Sequence, residues 1–336
     1  MQLNGYPDLL SYSRQSRATV QIRERLDKAS LEAVTGLQSD LTQATNGEVG
    51  RAHLLGKALN DVDHGLQINA LSTVRMSMIS GAVSGARESI NGLGSRASIA
   101  LASENEVHMR LLSDEAAGTL KSVMSAFSAA QGPRNLFSGT KTDTATYAAP
   151  EVLLEDIKNI MANATSLADA DTQISNYFDS PTGGFETRIY QGSQGSGPGV
   201  PIGNGNTLSQ DLKGNNQTIK DTLRGLAVMA NTFEMKGTIS ESELGDIYAN
   251  AASFVTTGSN GLVTKEGSLG LISETLGKTK ARFDSERSTL TNAYNDMFGR
   301  DQFEAAAELQ SLQIQLEASY TLTSRLSSLS LSNFLR

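Results

Sequence analysis

Apolar residues recur at helical spacing over both ends of the chain. Ile22, Leu26, Ala33, Leu37, Leu41 and Ala44 step by four, seven, four, four and three, which predicts one helix face over about Leu9 to Ala44, ended by Asn46-Gly47. A longer signal follows. Leu55, Leu59, Val62, Leu66 and Ala70 form a stripe, and Met76, Ile79, Val83, Ala86, Ile90 and Leu93 alternate threes and fours like a heptad seam. Asn91-Gly92-Leu93-Gly94-Ser95 is a kink or break. Ser103-x-x-Glu106 has the form of a capping box. It opens a helix with Leu112, Ala116, Leu120, Val123, Phe127 and Ala130 on one face, which Gly132-Pro133 ends.

The middle of the chain changes character. A short helix is expected over Pro150 to Ala164 and another over Asn216 to Thr232. Phe185 to Ser193 alternates as a strand does, and the glycine-rich run Gly192 to Leu208 suits turns between short strands. A second capping box, Ser240-x-x-Glu243, precedes Leu244, Ile247, Tyr248, Ala251 and Phe254, and Thr256 to Gly261 is expected to be a loop. Leu269, Leu276, Phe283, Leu290 and Met297 then lie seven apart, the clearest seam in the sequence. The phase is lost at Phe298 to Asp301, and a new stripe starts at Leu309, Leu312, Leu316 and Tyr320. It continues through Leu322, Leu326, Leu329, Leu331 and Phe334, so that seven leucines fall within the last 27 residues against three charges, Glu317, Arg325 and Arg336.

The pattern predicts a mainly α fold. A long antiparallel, coiled-coil-like bundle is built from both chain ends, with a small mixed α/β insertion in the middle. The expected division is 1–44 with 302–336 as a terminal helical assembly domain, 45–140 with 236–301 as a helical core, and 141–235 as a variable outer domain. Leu269, Leu276, Phe283, Leu290 and Met297 are the expected core seam. The terminal stripes (Ile22, Leu26, Leu37 and Leu41 at one end, Leu309 to Phe334 at the other) are the expected assembly interface, since apolar surface at a chain end asks for cover from neighbours.

Composition narrows the function. A net charge of −8 with no basic run argues against nucleic-acid binding. No cysteine is present, which removes disulfides and thiolate metal sites. No run of 18 apolar residues suggests membrane insertion, and the first twenty residues lack the apolar core of a cleaved signal peptide. His53 and His64 lie eleven apart near Asp61 and Asp63, but no ligand pair at i, i+4 completes a metal set. Gly192 to Gly205 contains neither a dinucleotide fingerprint nor a P-loop, and no nucleophile elbow occurs. No catalytic, metal or cofactor residues are expected, and a non-enzymatic role follows. A coiled-coil signalling or adhesin-type binding protein is the alternative that these patterns leave open.

Three stretches carry a family resemblance. "NLFSGTKTDTATY" (135–147), "IYQGS" with "VPIGNGNTLSQDL" (189–212) and "EAAAELQSLQIQLEASYTLTSRLSSLSLSNFL" (304–335) resemble segments of the flagellin family, and "ASLEAVTG" (29–36) is weakly similar to its N-terminal segment. The F-S-G-T element is similar to members that form the junction between hook and filament. The filament subunit, whose usual terminal motifs do not occur here, is the alternative within the family. The resemblance implies export without a cleaved signal through the flagellar type III apparatus, aided by an export chaperone. It implies a place outside the cell in the bacterial flagellum, self-association into a ring, and contact with a hook-side junction protein and with flagellin. The paired terminal helices would line the tube, and the middle domain would face outward.

Overall fold

The structure, a computed structural model, describes residues 9–40, 49–195, 197, 199–203, 205–209 and 212–334; the side chains of 9–12, 49 and 326–334 stay outside that description. Two compact units emerge, His64–Arg282 and Met1–Asp63 with Phe283–Arg336. Helices α2 (Val49–Ile90) and α8 (Glu241–Phe298) contribute to both.

In the unit His64–Arg282 the predicted seam is the core. Met76, Ile79, Val83, Ala86, Ile90 and Leu93 are all buried, together with Leu269 and Leu276 of α8. Asn69 of α2 donates from Nδ2 to the carbonyl of Leu276 at 3.1 Å, a buried polar tie between the two long helices. Helix α3 (Leu93–Ala102) follows the expected break, and α4 (Glu106–Ala126) packs Leu112, Ala116, Leu120 and Val123 inward. Strands β1 (Ala130–Gln131) and β2 (Arg134–Asn135) form a hairpin, α5 (Pro150–Asn163) and α6 (Leu167–Asp179) follow, and β3 (Val200–Gly203) pairs antiparallel with β4 (Asn206–Leu208). Helix α7 (Gln217–Asn231) completes the unit and lies buried along most of its length.

The "NLFSGTKTDTATY" segment is a structural lock. Phe137 is buried edge-on to Phe127, ring centroids 5.2 Å apart. Ser138 Oγ donates to the Thr144 carbonyl at 2.9 Å, and the Ser193 amide donates to the Ser138 carbonyl at 3.0 Å. Gly139 sits at φ 65°, where a Cβ would lie 2.8 Å from the Ser193 carbonyl oxygen, so both conformation and space require glycine. Tyr147 closes the loop by donating to the Gly214 carbonyl at 2.7 Å, and burial holds its phenol well above the usual tyrosine range.

The Ser240 box forms in full. Glu243 Oε2 accepts from the Ser240 amide at 2.9 Å, and the Glu243 amide donates back to Ser240 Oγ at 3.2 Å. The Ser240 amide and then the Ser240 hydroxyl, which donates to the same Oε2 at 2.7 Å, hold Glu243 below the usual carboxylate range. Ser240→Ala should therefore cost about 1 kcal/mol and shift the midpoint of urea unfolding without changing its slope, a difference that circular dichroism can read.

Several local expectations are corrected. Thr256 to Gly261 is no loop; α8 runs through it without a break. Its glycines mark a close helix crossing. A Cβ on Gly258 would lie 2.9 Å from Thr222 Cα, and one on Gly225 would lie 2.7 Å from the Val255 amide, so α7 and α8 meet backbone to backbone. The α4 cap is Asn105, whose side chain accepts from the His108 amide at 3.0 Å. Ser103 instead ends α3, and Glu106 pairs with Lys236 at 2.6 Å and Arg110 at 2.8 Å. Gly132-Pro133 turns the β1–β2 hairpin, since α4 has already ended at Ala126. Phe185–Ile189 is a π-helical turn, closed by the Tyr190 amide on the Phe185 carbonyl at 2.8 Å. The alternation misled because Phe185 and Ile189, four apart, are buried as on a helical turn, whereas Thr187 is exposed. Helix α6 carried no sequence expectation at all.

Helix α1 (Leu9–Thr35) stops nine residues before Ala44, and α9 (Gln302–Phe334) begins after a three-residue turn from α8. Both lie in the second unit, whose buried apolar residues, among those described, are Ala29, Ala52, Val62, Phe283, Phe298, Ala305 and Leu312. Arg287 pairs with Asp63 at 2.7 Å, and the rings of Tyr294 and Phe298 meet tilted at 49° with centroids 4.6 Å apart.

Candidate assembly interface

The two chain ends pack on each other. Thr19 meets Ser319 at 2.8 Å, Arg25 meets Glu308 at 3.0 Å, and Glu32 pairs with Arg300. As the number on α1 rises, the partner's number falls, so the helices are antiparallel. Ala29 of α1 and Ala305 and Leu312 of α9 are buried between them, and Ile22, Leu26, Leu309 and Leu316 are half-buried. Small residues at 29 and 305 let the two backbones approach closely.

A polar clamp fixes the register. Glu32 is buried and accepts from the Ser39 amide at 2.9 Å and from Ser39 Oγ at 2.7 Å while paired with Arg300. Arg300 also reaches Glu308 at 2.5 Å, and the hydrogen bonds from Arg300 and then Arg25 hold Glu308 below the usual carboxylate range. The backbone joins in: the Gln38 amide donates to the Phe298 carbonyl at 2.7 Å and the Arg300 amide to the Gly36 carbonyl at 2.9 Å, around a bridge between Leu37 and Gly299. Farther out, Arg23 donates from Nε to the Tyr320 hydroxyl at 2.8 Å. Sequence reasoning found none of these charged partners; those that tie α1 to the other chain end join residues some 270 to 300 positions apart.

A second apolar face points to water. At about 100° per residue, Phe303 and Ile314 fall together on α9, opposite Leu312. Phe303 is 88% exposed and Ile314 61%, and exposed Ala307 and Ala318 lie between and beyond them. Leu322 and Tyr320 are exposed toward the flanks. On α1, Val20 and Leu31 share the same eleven-residue interval and are likewise exposed, with Val34 beside them. The stripe Leu309, Leu312, Leu316 is thus the face turned to α1, and the bare apolar face is a different one. Its signal was the pair Phe303 and Ile314, three helical turns apart, outside the leucine pattern.

Residues 253–335 match the family model for the bacterial flagellin C-terminal helical region. The match is to that C-terminal helical region alone. The matched span takes in most of α8 and all of α9. Nine chains of known structure also match. One is described as a flagellar hook-associated protein from Vibrio parahaemolyticus, with TM-score 0.52 and 13% identity, covering 73% of this chain and 95% of that one. At that identity the likeness is one of fold. No curated protein sequence matches.

Within the flagellin-like C-terminal region, Leu269, Leu276 and Phe283 are buried, whereas Leu290 and Met297 are half-buried and Phe298 takes the interior place after them. The heptad therefore slips by one residue just before the turn into α9. Leu37 is half-buried beside its bridge to Gly299. Leu41, and the side chains of Leu326, Leu329, Leu331 and Phe334, lie outside the described residues. Among the described residues no cluster of three His, Asp or Glu side chains could hold a metal ion, and His53 and His64 are both exposed. No described helix is long and apolar enough to cross a membrane.

Proposed function

We propose that this chain is a structural subunit of the bacterial flagellum, without catalytic activity, that serves as the adaptor between hook and filament. The observation that carries this reading is the second apolar face on α1 and α9, of which α9 lies within the region that matches the flagellin C-terminal helical region. A helix pair that has already buried one face internally, yet keeps Phe303 and Ile314 in water, is built to be covered by neighbours. The flagellin match favours this over a coiled-coil signalling or adhesin-type protein. In this proposal the terminal assembly part comprises 1–44 with 302–336, and 141–235 faces outward. Copies form a ring between a hook-side junction protein and the first flagellin subunits, after chaperone-aided export to the cell exterior. The Phe137-Ser138-Gly139-Thr140 lock supports the junction role over that of a filament subunit.

The test is deletion of the gene followed by electron microscopy and analysis of the medium. A junction adaptor's loss should leave complete hooks without filaments and release flagellin monomers, because the first flagellin helices would lack a matching ring to add to. Loss of a filament subunit would instead leave capped hooks and no secreted major flagellin. Long filaments grown from the purified chain alone would also reject the junction role.

A further inference from the structure

Arg75 lies on α2, three residues beyond Ser72, whose Oγ donates to the Pro201 carbonyl of β3 at 2.6 Å. Among the described residues, Arg75 Nε is the buried side-chain nitrogen or oxygen that has no hydrogen-bond partner. The charge acting on it is a second cation, Arg134 of β2; burial first, then Arg134, hold the Arg75 guanidinium below the usual arginine range. Such an arrangement opposes folding twice, through a desolvated donor left empty and through like charges brought near each other. The chain has acids in excess, net charge −8, yet among the described residues none is hydrogen-bonded to Arg75 Nε. A carboxylate would answer both defects, because a guanidinium edge offers two parallel N–H donors to its two oxygens. The surroundings point to a protein as the source. Leu71, one helical turn before Arg75, is 66% exposed, and neighbouring Val74 is 53% exposed. An arginine beside apolar residues that shed water on contact is the arrangement of an interface anchor.

We propose that Arg75, together with Arg134, receives an aspartate or glutamate side chain from a second copy of this chain, with Leu71 and Val74 sealing the contact. The proposal rests on the assembly reading above and adds a contact in the unit His64–Arg282, away from the terminal helices. The occupant is a second copy because the excess of negative charge on this chain complements the paired cations, and because a small free anion would leave Leu71 and Val74 uncovered.

The test mixes full-length chains of natural and heavy nitrogen, each carrying Arg75→Lys, and joins amines to carboxylates with a zero-length carbodiimide. A heavy-to-light link from position 75 to an Asp or Glu is expected. Arg75→Gln in the otherwise unaltered chain should weaken self-association about tenfold by sedimentation while its melting temperature holds or rises, since an unpartnered buried donor has been removed. Links from position 75 that stay within one chain, or unchanged association of Arg75→Gln, would overturn the proposal while leaving the assembly reading intact. Absence of any heavy-to-light link, α9 included, would reject the assembly reading and this proposal together. If sulfate raises the melting temperature of the parent but not of Arg75→Gln, and association is the same in both, the occupant is a free anion and the proposal is wrong.

Discussion

Leu276→Asp will lower the melting temperature of the unit His64–Arg282 by about 10–20 °C. Leu276 is 1% exposed and belongs to the core cluster that includes the α2 seam. Truncating a buried leucine costs about 2–5 kcal/mol from lost burial and the cavity left behind. Aspartate adds a carboxylate to the buried core, a penalty it can reduce by taking up a proton. A combined loss of about 4–5 kcal/mol is a large share of a domain's total stability. At about 2–4 °C per kcal/mol for a unit of this size, the shift follows. Leu276→Met, which conserves volume, should cost less than about 1.5 kcal/mol. Calorimetry of the two variants side by side checks the claim; a normal melting temperature for the aspartate variant would remove Leu276 from the core.

The burial of Leu276 was legible in the sequence because a heptad repeat states a spacing and a spacing states a face. The same holds for the Ser240 box and for α7, where Asn216 caps the helix by accepting from the Thr218 amide at 3.2 Å. Glycine was harder to interpret. Gly258 and Gly261 look identical, in sequence, to the glycines of a loop. What separates them is the partner: Thr218 and Thr222 of α7 lie where their side chains would be. A glycine inside a helix costs about 1 kcal/mol, and the close α7–α8 packing offsets it, but that packing is invisible until the fold is known. The Phe185 turn is a similar case. Glu186, on this turn, faces Lys220 at 3.6 Å, and Arg188 reaches Asp156 at 2.8 Å. Those tertiary pairs hold a turn over a segment whose alternation alone suits a strand. The candidate interface was half legible. Leucine spacing revealed the face of α9 that meets α1, because leucine marks the closer-packed side, whereas the outer face is assembled from Phe303, Ile314 and alanines that form no run.

Phe303→Asp combined with Ile314→Asp should abolish assembly and leave the isolated chain as stable as the parent. Both side chains are largely exposed, so aspartate at either position removes little packing within the chain, and the melting temperature should move by no more than surface substitutions usually cause. In an assembled state each aspartate would sit in an apolar contact without a partner, at about 1–3 kcal/mol each on protein scales. Together that is about 4 kcal/mol, on the order of a thousandfold in association. Leu312→Asp is the contrasting variant. Leu312 is 1% exposed against α1, so its replacement should separate the α1–α9 pair and lower the melting temperature of their unit before any question of assembly arises. The two variants thus separate a face used within the chain from a face used between chains. Normal filament attachment in cells carrying the double variant would show that the outer face of α9 meets nothing, and the proposed ring would then need a different surface.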